Sequence, residues 1–548
     1  MSAEEMAKEQ REISISEFFE KNKHLLGFDN PTKALLVVVK EATDNSLDAC
    51  QDAEILPDII VKIKSIGEDK FRVSVQDNGP GIVKEQIPRV FGKLLYGSKF
   101  HHLRQNRGQQ GIGISACVLY SQLTTGSPMR IWSKTEGSKK GYHYEIFINT
   151  SKNEPEIVKE EEWVDGFDHG VRLEMDVTAR YRKWVEDYLK QTSVSNPFAK
   201  IIYTAPDGTK TTYARSIDKL PRQAKEMRPH PYGLEWGSLY RISQATQSRG
   251  LAGFLVNEFS SVGATTAKEI CKVARLDPNL NPKTLEREQI EKLLGAMQKV
   301  KVQRPPTECV VPIGTEDLEK SLKSEYPNSE FITVRSRNPE VYRGFPFAIE
   351  VGIVYGGDLP QNEAAQLQRF ANRVPLLYQA GACATVEAVK ETDWKRYGVQ
   401  QSGSSLPVGP MILLIHMCGV WVPFVSESKE AIAPYPEIVK EMKLAIQDAG
   451  RELSRYLSGK RRKGEAKRRM LIFERYSTEV AEALANLTKG DKSDIEKKLK
   501  SMIAEKMTFD DTAGNEEAGG DGQSDGKTTP VKEKTKPATA KPADVEKK

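Results

Sequence analysis

The chain has no apolar run approaching the roughly 18 residues that a helix needs to cross a bilayer, so no membrane-spanning helix is expected. Its opening, Met-Ser-Ala-Glu-Glu, lacks a basic stretch followed by an apolar one, so no secretory signal is expected and the chain reads as cytoplasmic. Cysteine is scarce. Cys50, Cys117, Cys271, Cys309, Cys383 and Cys418 lie far apart with no Cys-x-x-Cys pair, which fits neither a disulfide framework nor a zinc site and predicts buried small hydrophobes. A dominant charge is also missing: 81 Lys and Arg stand against 76 Asp and Glu, a net +5. That is too little in 548 residues to announce nucleic-acid binding, which would have to rest on local basic patches.

What is present is enough chain for about three or four domains. Asn30-Pro31 has the form of a helix start, Asn as N-cap and Pro at the first position, and the pattern runs to about Ala53. The β-branched run Val37-Val38-Val39 argues for a strand there, but length and cap favour the helix. Phe71, Val73, Val75 and Asp77 alternate onto one face of a strand, and strands are also predicted from Arg130, from Tyr142 to Ile148 and from Val171 to Val177. Residues 1–227 therefore read as an α+β sandwich. Residues 228–306 turn helical, with breaks at Ser248 to Gly250, Ser261 to Gly263 and Asp277-Pro-Asn.

Beyond Arg304-Pro-Pro306, strands predicted at Glu308 to Ile313, Phe345 to Tyr355 and Gly409 to Val425 alternate with helices near Leu318 to Ser324 and Cys383 to Thr392, which makes 307–470 an α/β domain. A long helix from about Pro436 to Leu457 is expected to break and resume from Met470 to Leu487, with a helical segment over 471–508. Residues 509–548, rich in Gly, Asp, Lys, Thr and Pro, are expected to be disordered.

Three short strings ask for one ligand, a magnesium-bound ATP. In Glu41-Ala-Thr-Asp-Asn45 a carboxylate and an amide lie one helical turn apart, so both face one way; the amide oxygen of Asn45 suits Mg2+, and Glu41 can deprotonate an attacking water. Alone, this would be an exposed polar face. In Asp77-Asn-Gly-Pro-Gly81 a carboxylate can accept from the adenine amine while Gly79 and Gly81 let backbone approach a flat ring; alone, it would be an Asn-Gly hairpin turn. In Arg107-Gly108-Gln109-Gln110-Gly111-Ile112-Gly113, followed by Ile114, backbone N–H groups ahead of a helix can hold phosphate oxygens, with Ser98 and Lys99 adding a hydroxyl and a cation. Gly111-Ile-Gly113-Ile-Ser-Ala116 matches a dinucleotide fingerprint, but the polar stretch before it cannot be the required strand. Gly526-Lys527-Thr528 looks like the end of a P-loop, yet Asp521 stands where its first glycine belongs.

Taken in order, the strings resemble the GHKL ATPases. Glu-Ala-Thr-Asp-Asn-Ser-Leu-Asp-Ala, Leu-Leu-Tyr-Gly-Ser-Lys-Phe and Arg-Gly-Gln-Gln-Gly-Ile-Gly-Ile-Ser are similar, more narrowly, to the B-subunit family of DNA topoisomerase VI, a type IIB enzyme, from near residue 10 to about 505. The resemblance implies an α+β multidomain chain: a GHKL (Bergerat) sandwich, a helix-two-turns-helix insert, and an α/β transducer ending in a long helix. It implies Glu41 as general base, Asn45 on magnesium, Asp77 on adenine, the 107–114 loop as phosphate lid, Ser98 and Lys99 as a second nucleotide contact, and Lys429 of Phe424-Val-Ser-Glu-Ser-Lys429 as a switch lysine on the γ-phosphate. Val171 departs from the pattern, since many members carry a threonine there beside the aspartate.

Trp394-Lys395-Arg396-Tyr397 and the run Lys460-Arg461-Arg462-Lys463 could each meet DNA phosphates without reading sequence. DNA cleavage in this class needs an Asp-x-Asp metal pair, and the chain has none. The resemblance thus implies that cleavage resides in the separate A subunit of topoisomerase VI, joined in an A2B2 heterotetramer. It also implies ATP-driven dimerisation of the B chains, double-stranded DNA as the object, and a nucleoid-associated location. A chaperone or mismatch-repair clamp is the alternative, and the helical insert speaks against it. A sensor kinase ranks last, because only His24 precedes the first motif.

Overall fold

The computed structural model describes residues 17, 19, 21–23, 27–97, 102–108, 111–164, 166–426 and 428–502. The chain divides into two compact units, Met1–Tyr456 and Leu457–Lys548.

Helix α1 (Pro31–Asp52) begins where its cap predicts: the Asn30 side chain accepts from the Thr32 N–H at 2.8 Å, and Ala53 closes the other end. Val38 and Val39 are buried, so packing of the apolar helix face outweighs their β preference. Strands β1 (Asp58–Gly67), β2 (Lys70–Gln76), β3 (Met129–Lys134), β4 (Gly141–Asn149), β5 (Glu154–Trp163), β6 (Gly170–Thr178), β7 (Lys200–Thr204) and β8 (Lys210–Tyr213) form one sheet in the order β5-β4-β3-β6-β2-β1-β7-β8. Neighbours run antiparallel except β1 and β7. Helices α1, α2 (Ile87–Gly92), α3 (Gly113–Thr125) and α4 (Trp184–Ser195) accompany this sheet, and the shared core contains Leu35, Val39, Leu47, Ile63, Val75, Leu119, Ile146, Met175 and Leu189.

Four helices follow, α5 (Trp236–Ala245), α6 (Leu251–Glu258), α7 (Ala264–Ala274) and α8 (Arg287–Lys299), around a core of their own that includes Leu239, Phe254, Phe259, Ile270, Leu293 and Met297. The predicted breaks lie between them, with Gly250 and Gly263 as N-caps of α6 and α7.

The second sheet comprises β9 (Phe331–Ser336), β10 (Glu340–Tyr342), β11 (Phe345–Tyr355), β12 (Gln366–Ala371), β13 (Val374–Pro375) and β14 (Met411–Gly419), in the order β10-β11-β14-β12-β13 with β9 beside β11. Helices α9 (Thr315–Glu325), α10 (Ala384–Lys390) and the start of α11 (Pro436–Thr488) belong with it.

Three expectations need correction. Glu308 to Ile313 is not a strand, because side chains take its backbone groups: Arg222 donates to the Glu308 and Val310 carbonyls, Gln105 brackets Val311, and Glu350 accepts from the Ile313 N–H. The strand expected to reach Val425 stops at Gly419. Helix α11 does not break after Leu457 but runs unbroken for 53 residues, since Lys, Arg, Glu and Ala between 460 and 469 are good helix formers with only Gly464 against them.

Within the second unit, α11 is followed by a helical stretch at 492–502, which returns to it through Lys492 on Glu482 at 2.7 Å. The tail expected to be disordered, 509–548, lies outside the described residues. Among the described residues no helix is long and apolar enough to cross a membrane. All six cysteines are buried and unpaired.

Candidate functional site

A cavity of about 640 Å³ opens beside α1, lined by Glu41, Asn45, Asp77, Gly81, Gly108, Gly111 to Ile114 and Lys429. These come from strings far apart in the chain, and the helix places Glu41 and Asn45 on the cavity side as their spacing predicts. Asn45 is exposed to this space and its amide makes no hydrogen bond among the described residues, so an oxygen ligand is free for a hard cation. Glu41 reaches across to the first turn of α3: a Cβ on Gly113 would collide with its carboxylate, so a side chain there displaces Glu41 from the place it takes beside glycine.

Asp77 directly follows β2 and is 5% exposed. Its Oδ1 accepts from the Gly79 N–H at 2.9 Å and the Val171 N–H at 3.1 Å, and its Oδ2 from the Ser46 hydroxyl at 2.8 Å. Burial holds this carboxyl above its ordinary range, although the three donors work against the rise. Oδ2 keeps one acceptor position for a ligand's N–H. Ser46 supplies a hydroxyl to the carboxylate, while Val171 serves it through backbone and adds apolar wall beside Leu173.

The Asn-Gly hairpin alternative fails, because β2 leads into a loop tied down at both ends. Asn78 accepts from the Asp58 N–H at 2.7 Å, and Ile82 is held by the Ser133 hydroxyl at 2.7 Å. Gly81 has φ +72°, and a Cβ there would strike the Lys134 carbonyl, so the glycine lets the loop pass the end of β3. Gly79 does not line the cavity; its N–H closes the Asp77 turn and its carbonyl meets His169 Nδ1 at 2.8 Å.

Arg107 requires a correction. Its guanidinium turns away from the cavity and is buried, donating to Asp48 at 2.6 Å, Gln51 at 2.9 Å and Asn196 at 2.5 Å. The side chain is an anchor between α1 and the end of α4, and only the backbone beyond it reaches the cavity. Ser98, Lys99, Gln109 and Gln110 lie outside the described residues.

Lys429 sits in a left-handed conformation, φ +54°, and its Nζ donates to the Arg107 carbonyl at 3.2 Å. Its loop is strapped to α1 twice: Lys33 pairs with buried Glu430 at 2.5 Å, and Lys40 Nζ donates to the Ser428 carbonyl at 3.4 Å. Neither Lys33 nor Glu430 was singled out from sequence, since one is an ordinary helical lysine and the other follows Lys429 without a motif. Ser46 and Tyr96 were also passed over, although they stand inside strings already quoted. Tyr96 lines the cavity and donates to Gln86 at 2.7 Å.

The residues expected to meet DNA phosphates separate. Trp394 is fully buried, with its Nε1 on the Val389 carbonyl at 2.9 Å, so its expected exposure to phosphate is corrected. Tyr397 is half-buried edge-on against Trp394. Lys395 and Arg396 are exposed, as are Lys460, Arg461 and Arg462 on α11. Among the described residues one group of metal-ligand type occurs, Glu350, His416 and Cys418. Its donors are committed: Glu350 accepts from two backbone N–H groups and from His416 Nδ1, and His416 Nε2 accepts from the Arg373 N–H.

The family model described as "Histidine kinase-, DNA gyrase B-, and HSP90-like ATPase" matches residues 30–152, and "Topoisomerase VI B subunit, transducer" matches 305–469. The sandwich carries the first of these matches, which makes the chain a GHKL-type ATPase. Curated relatives narrow this. The B subunit of type 2 DNA topoisomerase 6 from Methanococcoides burtonii is 49% identical over 497 residues, 90% of this chain and 80% of the relative. Its counterpart in Methanosarcina barkeri is 48% identical over 90% of this chain and 80% of its own length, and that of Archaeoglobus fulgidus 47% over 83% and 76%. This chain belongs to the family of type 2 DNA topoisomerase 6 B subunits, the ATPase subunits of ATP-dependent type II topoisomerases. The chaperone, mismatch-repair and sensor-kinase alternatives give way to it.

Proposed function

We propose that the chain binds ATP with magnesium in the cavity beside α1 and hydrolyses it there. The convergence of Glu41, Asn45, Asp77, Gly111 to Ile114 and Lys429 on one cavity carries this reading. Asp77 accepts from the adenine amine, and the 108–114 backbone with Ser98, Lys99, Gln109 and Gln110 holds the phosphates. Asn45 would hold the magnesium ion, which supplies positive charge to the triphosphate. Glu41 takes the proton from the attacking water, and Lys429 exchanges the Arg107 carbonyl for the γ-phosphate. The test is Glu41→Ala: it is expected to bind ATP like the parent chain and to hydrolyse it at least about a hundredfold more slowly. Unchanged turnover would remove Glu41 from the chemistry.

We further infer that two copies dimerise on binding ATP and that the dimer guides one duplex through another, cut by a separate A subunit, in an A2B2 assembly. The lack of an Asp-x-Asp pair supports the separate cleaving chain. Exposed Phe473, Tyr476, Val480, Leu484 and Leu487 late in α11 support a protein partner at that end. Lys395, Arg396, Lys460, Arg461 and Arg462 are the phosphate contacts in this reading, without sequence preference, and the working location is the cytoplasmic nucleoid. The division of labour is 1–227 for ATP, 228–306 for the insert, 307–470 for transduction and 471–508 for the helical end.

A further inference from the structure

Strands β12 and β13 are joined by two residues, Asn372 and Arg373, with φ +47° and +69°. This is the geometry of a two-residue type I′ hairpin turn, whose second position usually needs glycine. Arginine in that conformation carries a steric penalty, so the surrounding structure must impose it. Both residues are buried, 4% and 3% exposed, because the turn enters the ATPase sandwich instead of solvent.

Its bonds reach in two directions. Toward the sandwich, the Asn372 amide donates to the Asn106 carbonyl at 2.9 Å, one residue before the lid string begins. The Arg373 carbonyl accepts from the Ser195 hydroxyl at 2.7 Å and from the Asn196 amide at 3.3 Å, and Asn196 in turn accepts from Arg107. Toward its own sheet, the Asn372 amide exchanges bonds with Gly419 N–H and carbonyl at 2.9 and 3.0 Å, and the Arg373 N–H donates to His416 Nε2 at 3.0 Å. The base of the lid is thus connected by direct bonds to β14, the central strand of the second sheet, along a route that bypasses Lys429. Energetic coupling between distant sites travels through such contiguous networks when one element has two arrangements.

We propose that the Asn372–Arg373 turn is a positioning device that couples nucleotide binding in the cavity to the transducer sheet. It rests on the reading of the cavity as an ATP site and adds a second link to the one that Lys429 supplies. Nucleotide held at Gly108 and Gly111 to Ile114 shifts Asn106 and, through Arg107, Asn196; these shift the turn, and the turn shifts β14 at Gly419 and His416.

Asn372→Gly tests it, since glycine keeps the positive φ and removes both side-chain links. The full chain is measured three ways: direct binding of a nonhydrolysable ATP analogue, ATP turnover, and hydrogen exchange of the 411–419 amides with and without that analogue. Asn372→Gly is expected to bind the analogue within about threefold of the parent chain, turn ATP over about tenfold more slowly, and lose the analogue-dependent change at 411–419. A folded variant with parental turnover and a parental exchange response overturns the proposal. If Asn372→Gly does not fold, Ser195→Ala removes a single bond of the same route and must weaken the exchange response about twofold or more; a parental response there overturns it equally. Failure of the parent chain itself to bind the analogue would instead defeat the reading of the cavity.

Discussion

The Glu41 carboxylate lies against the α-carbon of Gly113, close enough that any side chain at 113 would share its space. The first string and the third thus meet at the start of α3, where unpaired backbone N–H groups attract negative charge. Gly113→Ala must push Glu41 aside. It is expected to lower ATP turnover about a hundredfold, the cost of misplacing a reacting group by about 1 Å. Steady-state ATPase kinetics with a melting curve as control check this, and normal turnover in the variant contradicts it.

Arg107 and Asp48 form a pair whose side chains are 5% and 10% exposed. Replacing the arginine by methionine takes the countercharge from a buried carboxylate, which costs roughly 3 to 5 kcal/mol. Arg107→Met is expected to lower the urea midpoint of the sandwich, and adding Asp48→Asn should restore part of the loss. No recovery in the double variant would mean that packing, and not the lost countercharge, is responsible.

Lys33 and Glu430 hold the Lys429 loop against α1. Glu430→Gln keeps the shape and removes the charge. Its expected effect is a rise in KM for ATP of about three- to tenfold with a smaller change in kcat, because a loosened Lys429 weakens ground state and transition state alike. A pure kcat defect would count against this role.

Asp44 turns away from the cavity and accepts from the Tyr188 hydroxyl at 2.8 Å. Burial, the largest influence, raises its pKa from 3.8 to about 6, against the pull of Lys40. A carboxyl whose folded pKa is raised favours folding when protonated, so its contribution is full below pH 4 and is lost as pH rises through 6. Asp44→Asn keeps an acceptor for Tyr188 and is expected to stabilise the chain by roughly 1 to 3 kcal/mol at pH 7.5, with the gain vanishing near pH 4. Melting temperatures across that range decide it; a gain independent of pH would not come from this titration.

Local signals were legible and distant ones were not. Helix α1 could be read to within a residue because its cap, its proline and its apolar face are all written within 24 positions. The cavity residues on Glu41 to Asn45, Asp77 to Gly81 and Gly111 to Ile114 were legible because the three strings, each ambiguous alone, ask in this order for one ligand. Lys429 was found by resemblance alone. Arg107 was misplaced because its partner Asn196 is 89 positions away. Strand β5 went unpredicted because a run of glutamates has no alternation to read, and it survives as a sheet edge where both faces meet water. Glu308 to Ile313 reads as a strand by composition, but Gln105 and Arg222 take its hydrogen bonds.

Because every cysteine thiol is buried, a thiol reagent finds no target on the native fold. Labelling therefore becomes a clock for local opening. Cys50 and Cys117 time the sandwich, Cys271 the insert, and Cys383 and Cys418 the second sheet domain, so one chain carries its own set of reporters without a single engineered residue.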